Sequence, residues 1–272
     1  MASRVKPVDY FASHPVFRFE DFVASHAEGG ARSVQASQAV LKQHVRAGNL
    51  LHVRRGLYAV VPRGQSPDTH HVDPYLLAGH MTADAVVAYH AALQFHGKAH
   101  SVSRRFTYLT LTRAKPFEFR GSEFVPVPVP PPLRNGSDLG GGLVEKQRGG
   151  LGVRVTTLER TLVDVLHAPR HGGGWEEIWR SLEAVEFFDL DAVAKYALKL
   201  GSAVTVARVG FFLEQHREQL MVEDDHLARL EERTPKSPMY LDRGKREPGK
   251  LLSRWNLVVP EWVLNRTWAE VT

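Results

Sequence analysis

Residues 29–63, GGARSVQASQAVLKQHVRAGNLLHVRRGLYAVVPR, carry six Lys/Arg and no Asp or Glu, and their apolar pattern changes period midway. Few folds take a cationic helix followed at once by a cationic hairpin. Ser33 reads as an N-cap and Gly48 as a stop, which predicts a helix over about 34–47. At about 100° per residue, Val34, Leu41 and Val45 share a narrow stripe, the expected buried side. Gln35, Ala39, Lys42, Gln43 and Arg46 fall on the opposite flank. These side chains can reach base edges and phosphates with no carboxylate among them.

After Gly48 the pattern alternates, LLHVRRGLYAVV, with Arg54-Arg55-Gly56 between two β-prone runs. Gly56 supplies the positive φ that a tight hairpin needs, so a two-stranded wing with an Arg54-Arg55 tip is expected. Upstream, Phe19, Phe22, Val23 and His26 lie at helical spacing and predict a helix packed under the first. The order helix, helix, basic hairpin predicts a winged helix-turn-helix over 1–66. Its expected DNA-binding set is Arg32, Ser33, Gln35, Gln38, Lys42, Gln43, Arg46, Arg54, Arg55 and Arg63. A solvated helix face and turn would use similar residues. The absence of any acid over 29–67 favours the DNA reading.

The charge of the whole chain partitions unevenly. Residues 1–66 hold nine Lys/Arg against four acids, whereas 67–272 hold 26 of each, so the net +5 resides in the first quarter. An anionic partner is therefore expected for the N-terminal unit. With no cysteine, disulfides, zinc fingers and thiol catalysis are excluded. The N-terminus lacks an apolar signal core and no apolar run reaches spanning length, so the chain reads as cytoplasmic with no membrane partner.

Pro62 to Pro67 reads as an interdomain linker. Beyond it, 67–272 predicts a larger mixed α/β domain, making the fold class α+β. Asp73-Pro74 opens a helix to about His80, and Thr82 caps another over ADAVVAYHAALQFH. Strands are expected at 102–111, 117–127 and 151–156, within a mixed sheet over 100–156. The Pro- and Gly-dense stretch between the last two reads as a long loop. Helices follow over 157–220, then an extended C-terminal segment with a strand near WNLVVP, docked on this domain.

Several motifs together resemble a known family. GNLLHVRRGLYAV, AYHAALQFHG, TTLERTLVDVLHAP and PKSPMYLDRGKREPGKLLSRWNLVVP are similar, in that order, to segments of AbiEi-like antitoxins. These are the abortive-infection transcriptional regulators of type IV toxin–antitoxin systems. One departure is His90, where many members have a small Ser. The resemblance implies a bipartite antitoxin in phage defence. Its winged helix represses its own operon at inverted repeats in promoter DNA, as a monomer or as two copies on DNA. Its C-terminal domain opposes a nucleotidyltransferase-like toxin without a stable complex. It implies no catalytic residue and no cofactor.

The ERTLVD helix has its own structural account. Thr156-Thr157-Leu158-Glu159 fits a capping box with Glu159, and Arg160 and Asp164 can pair at four residues' spacing. A toxin-opposing surface through Arg104, Arg105, Arg113, Glu159, Arg160 and Asp164 is the second reading. Lys98, Arg104, Arg105, Arg113, Lys115 and Arg120 form a further basic set, suited to nucleic acid or to protecting a sheet edge. His70, His71, Asp73, His80, His90, His96 and His100 crowd one region without HExxH spacing, so no metal is expected. Two other classes remain open. A DNA-directed, metal-dependent nuclease or phosphotransferase would have to enlist Glu145, Glu159 and Asp164. A ligand-responsive transcription factor would use a cavity lined by Trp175 and Trp179, which otherwise read as core.

Overall fold

A computed structural model of the protein describes residues 6–27, 33–135 and 139–268. The chain begins α1 (Pro7–Ser13), β1 (Val16–Arg18), α2 (Phe19–Ala27), α3 (Val34–Arg46), β2 (Leu50–Arg54) and β3 (Leu57–Val60). The Ser33 hydroxyl accepts from Ala36 N at 3.1 Å and starts α3. Gly48 ends it at φ +74°, with its N–H on Val45 O at 3.1 Å. That φ is strained for any residue with a Cβ, so glycine there sets the helix length. β1, β3 and β2 form an antiparallel sheet in that order.

Alternation along these strands splits their side chains between two cores. Phe17 and Leu50 face an aromatic cluster with Tyr10, Phe11, Phe22 and Leu41. Val16, Val53, Leu57 and Ala59 face the other way, into one cluster with Tyr75, Leu76, Phe106, Phe124 and Val153. Burying a Val or Leu is worth about 1.5–3 kcal/mol. The N-terminal unit is therefore docked on the rest of the chain through apolar packing, and segment 62–67 runs across that junction. The Arg120 guanidinium closes it by donating to Pro67 O and His70 O.

The second part contains α4 (Pro74–His80), β4 (Val86–Val87), α5 (His90–Phe95), β5 (Arg105–Thr110), β6 (Phe117–Phe119), β7 (Ser122–Pro128), β8 (Leu143–Arg148) and β9 (Leu151–Thr156). These strands form a mixed sheet ordered β6-β7-β5-β4-β9-β8, with β4 parallel to β9 and β5 parallel to β7. Two expectations fail here. The helix expected over 83–96 is helical only from His90. Val86 and Val87 are fully buried between β5 and β9, and a short apolar run of this kind has no periodicity to separate strand from helix. The expected loop before 151 contains β8, which folds on β9 across the Gly149-Gly150 turn.

One sheet face, with Val87, Tyr108 and Val153, meets α4 and the N-terminal sheet. The other, with Val86, Leu109 and Val127, packs on α6 (Leu158–His167), α7 (Trp175–Glu183), α8 (Leu190–Lys199), α9 (Ala203–Gln215) and α10 (Asp224–Glu231). The C-terminal segment adds β10 (Met239–Tyr240), β11 (Lys250–Leu252), β12 (Leu257–Val259) and α11 (Glu261–Leu264). Trp255, Leu257 and Val259 join the same core, so this segment docks as expected. The fold is α+β. No helix among the described residues is long and apolar enough to cross a membrane.

Candidate nucleic-acid interface

α3 presents its two sides unequally. Leu41 is fully buried, Ser37 is buried, and His44 packs edge-on to Phe11 at 4.9 Å between ring centres. Burial pushes the His44 imidazole below its ordinary pKa. Val34, expected in the buried stripe, is 53% exposed. It occupies the first turn of the helix. On the opposite side Gln35, Gln38, Ala39, Lys42, Gln43 and Arg46 are all exposed. Thirteen residues at 1.5 Å rise make a rod about 20 Å long, and a helix of ordinary diameter enters a major groove about 12 Å wide. Ala36 and Ala39 keep that side low enough for close approach. No Asp or Glu lies on α3, so nothing on it repels a phosphate.

Around α3, Ser33 is exposed and holds the helix start, while Arg63 is exposed beyond β3. Arg32 lies outside the described residues. The hairpin turn needs a correction. Arg54 pairs with Leu57, so the two-residue turn is Arg55-Gly56, and only Arg55 is exposed there. A register shift between His52 and Arg54 breaks strict alternation and turns Arg54 inward. Its guanidinium lies 5.4 Å from the Phe117 ring centre and 3.7 Å from Met81 Sδ. Arg54 is thus a packing residue at the junction, and the hairpin tip carries one outward cation rather than the two expected. The Phe19 N–H donates to Gly56 O at 2.8 Å and ties the turn to the start of α2.

The second basic set divides. Lys98 donates to Ala184 O and Glu186, Arg120 clamps the junction, and Arg105 lies 3.5 Å from Glu123. Arg104, Arg113 and Lys115 are exposed.

Within ERTLVD, the residues from Arg160 to Asp164 are buried and form no surface. Arg160 and Asp164 side chains are each 1% exposed and pair at 3.2 Å. Arg160 Nη1 donates to Leu139 O and Gly141 O, and Tyr196 Oη donates to Asp164 Oδ1 at 2.8 Å. Burial holds the Asp164 carboxyl above its ordinary range, with Arg160 and Tyr196 opposing that pull. Any recognition surface through Arg160 and Asp164 is ruled out by their burial, and both Asp164 oxygens are engaged, which removes it from a metal-binding carboxylate set. The helix cap also shifts by one residue, to Thr157. Glu159, half-buried, instead faces Asp189 N. Among the described residues no three His, Asp or Glu side chains are placed to hold a metal ion.

The aromatic residues enlisted for a ligand cavity separate as well. Trp179 is core, its Nε1 donating to Gln215 Oε1 at 2.9 Å. Trp175, also buried, lines a cleft together with Arg208, Asp242 and Trp262.

No known protein-family profile matches the sequence, and no curated protein does. Among solved structures the chain is similar to the crystal structure of the RV2827C protein from Mycobacterium tuberculosis, with 19% identity and a TM-score of 0.57. The match covers 98% of this chain and 96% of that one, so the likeness is one of fold along nearly the full length.

Proposed function

We propose that the protein is a DNA-binding repressor whose first unit is a winged helix-turn-helix, with α3 as the recognition helix. The observation that carries this reading is the uniform exposure of Gln35, Gln38, Lys42, Gln43 and Arg46 on an α3 that bears no carboxylate. Glutamine can bond adenine through two atoms, and Lys or Arg can bond guanine or phosphate. Arg55 then meets flanking phosphates or a narrow minor groove, and Ser33 and Arg63 extend the contact at either end. The α1–β1–α2–α3–β2–β3 order supports the assignment.

The rest of the reading stands on the motif resemblance. The protein acts in the cytoplasm as a non-enzymatic antitoxin of a type IV system. It represses its own promoter at inverted repeats and opposes a nucleotidyltransferase-like toxin. Two copies bound side by side on DNA suffice, with no dimer required in solution.

The test is anisotropy of a labelled promoter fragment across a salt series. Each lost phosphate contact flattens the log–log slope by about 0.9 on B-DNA. Lys42→Ala with Arg46→Ala therefore lowers the slope by up to about 1.8 and weakens binding, with thermal stability unchanged because both side chains are exposed. Equal affinity and slope in the double variant refute α3 as the reader.

A further inference from the structure

α9 is buried nearly all round, and in the middle of its apolar sequence AVTVARVGFFLEQ sits Arg208, only 5% exposed. Its guanidinium lies 5.2 Å from the Trp175 ring centre, and Nη1 donates to Leu166 O at 2.8 Å and His167 O at 3.3 Å, the last carbonyls of α6. Its Nε is buried with no hydrogen-bond partner among the described residues, and Asp242 is the acid whose field reaches it. Burial lowers its pKa to about 10, with Asp242 opposing and Arg243 adding to the shift. A buried cation is costly, and two carbonyl groups together with the field of Asp242 offset only part of that cost.

Arg208 forms part of the wall of a cleft of about 660 Å³ between the α6–α7 connection, α9 and the segment 242–247. The size falls in the range that takes small organic ligands. Arg170, Arg243 and Lys245 add three more cations to its lining. The two acids of the lining accept hydrogen bonds from the cleft's own walls. Asp242 accepts from Trp175 Nε1 and from Gly244 N and Lys245 N, and Glu247 accepts from Trp262 Nε1 at 3.0 Å. Gly174, also in the lining, is the N-cap of the nine-residue α7 and provides no capping side chain, so first-turn amides there lack a partner of that kind. Trp262 is half-buried and offers an indole surface at the same opening.

We propose that this cleft binds a mononucleotide, the phosphate placed over Arg208 with Arg243 and Lys245 at the rim, and the base against Trp262. The lining carries Arg170, Arg208, Arg243 and Lys245 against Asp242 and Glu247, so a phosphate supplies negative charge that the cleft is short of, and a planar ring fits the half-buried indole of Trp262 better than an aliphatic chain does. This site lies on the helical layer and does not depend on how α3 meets DNA.

The experiment is titration of the full-length protein with AMP, adenosine and inorganic phosphate, followed by tryptophan emission and by calorimetry. AMP is expected to bind at millimolar concentration or below, at least about tenfold more tightly than adenosine. Arg243→Ala with Lys245→Ala removes two exposed charges, so it should leave the melting temperature unchanged and weaken AMP at least about tenfold. Arg208→Met keeps the packing volume and should abolish the difference between AMP and adenosine. Three results overturn the proposal: no AMP binding at millimolar concentration, equal affinity for AMP and adenosine, or AMP affinity unchanged in the Arg243/Lys245 double variant.

Discussion

Asp164→Ala should destabilise the protein strongly while touching no exposed surface. Removing the carboxylate leaves Arg160 charged at 1% exposure and strips Tyr196 Oη of its acceptor. The guanidinium retains Leu139 O and Gly141 O and its place 5.0 Å from the Tyr196 ring centre, so it cannot swing out to water. Breaking a buried pair from one side costs about 3–5 kcal/mol. For a chain of this size each kcal/mol lowers the melting temperature by roughly 2–4 °C, so a fall of about 6–20 °C is expected by calorimetry. Arg160→Met with Asp164→Leu removes both charges and fills the space with apolar volume. It should recover most of the loss, since a well-packed apolar replacement of a buried pair is often neutral or better. The reasoning is refuted if Asp164→Ala melts within about 1 °C of the parent, or if the double variant is less stable than the single. A loss of toxin neutralisation by Asp164→Ala at unchanged stability would restore the surface reading that the burial of these residues removes.

Gly210→Ala should destabilise by about 1–3 kcal/mol in urea, although alanine is the better helix former by about 1 kcal/mol. A Cβ there would overlap the six-membered ring of Trp255, whose Nε1 is held by Glu214 at 2.6 Å, and a stabilised variant would falsify that packing account. Arg54→Ala should lower the melting temperature by loosening the Phe117 contact while leaving the DNA salt slope unchanged, whereas Arg55→Ala should do the reverse. A slope that moves with Arg54 and not with Arg55 returns Arg54 to the DNA contact. Burial, then Arg170 and Arg105, lower the His171 pKa from 6.5 to about 4. The folded state therefore resists protonation that the unfolded chain accepts below 6.5, and stability is lost as pH falls from 6.5 towards 4. His171→Asn should flatten that part of a urea-midpoint profile, and an unchanged slope would deny His171 the role.

Much of the candidate interface was legible because the rules that set it are local. A Ser33 cap, a Gly48 stop and a 3.6-residue period depend on neighbours within a turn or two, so α3 and the exposed set Gln35, Lys42, Gln43 and Arg46 could be placed in advance. The Gly149-Gly150 turn was equally local, but the Pro- and Gly-dense stretch before it masked β8. The signal for the cleft was also present. A lone arginine inside an otherwise apolar helix asks what neutralises it, yet nothing near Arg208 in the sequence says which residues gather round it.

From the sequence alone came the charge partition, the helix and hairpin of the first unit, the α+β class and the docking of the C-terminal segment. Each follows from spacing, caps or composition, which neighbouring residues suffice to express. Tertiary structure decided which way the ambiguous side chains turn. Arg54 goes inward because Phe117 from a different sheet waits beside it, Arg160 and Asp164 are interior because α8 brings Tyr196 over them, and Val86-Val87 is a strand because β5 and β9 flank it. Burial is a property of partners distant along the chain, and no local pattern carries it.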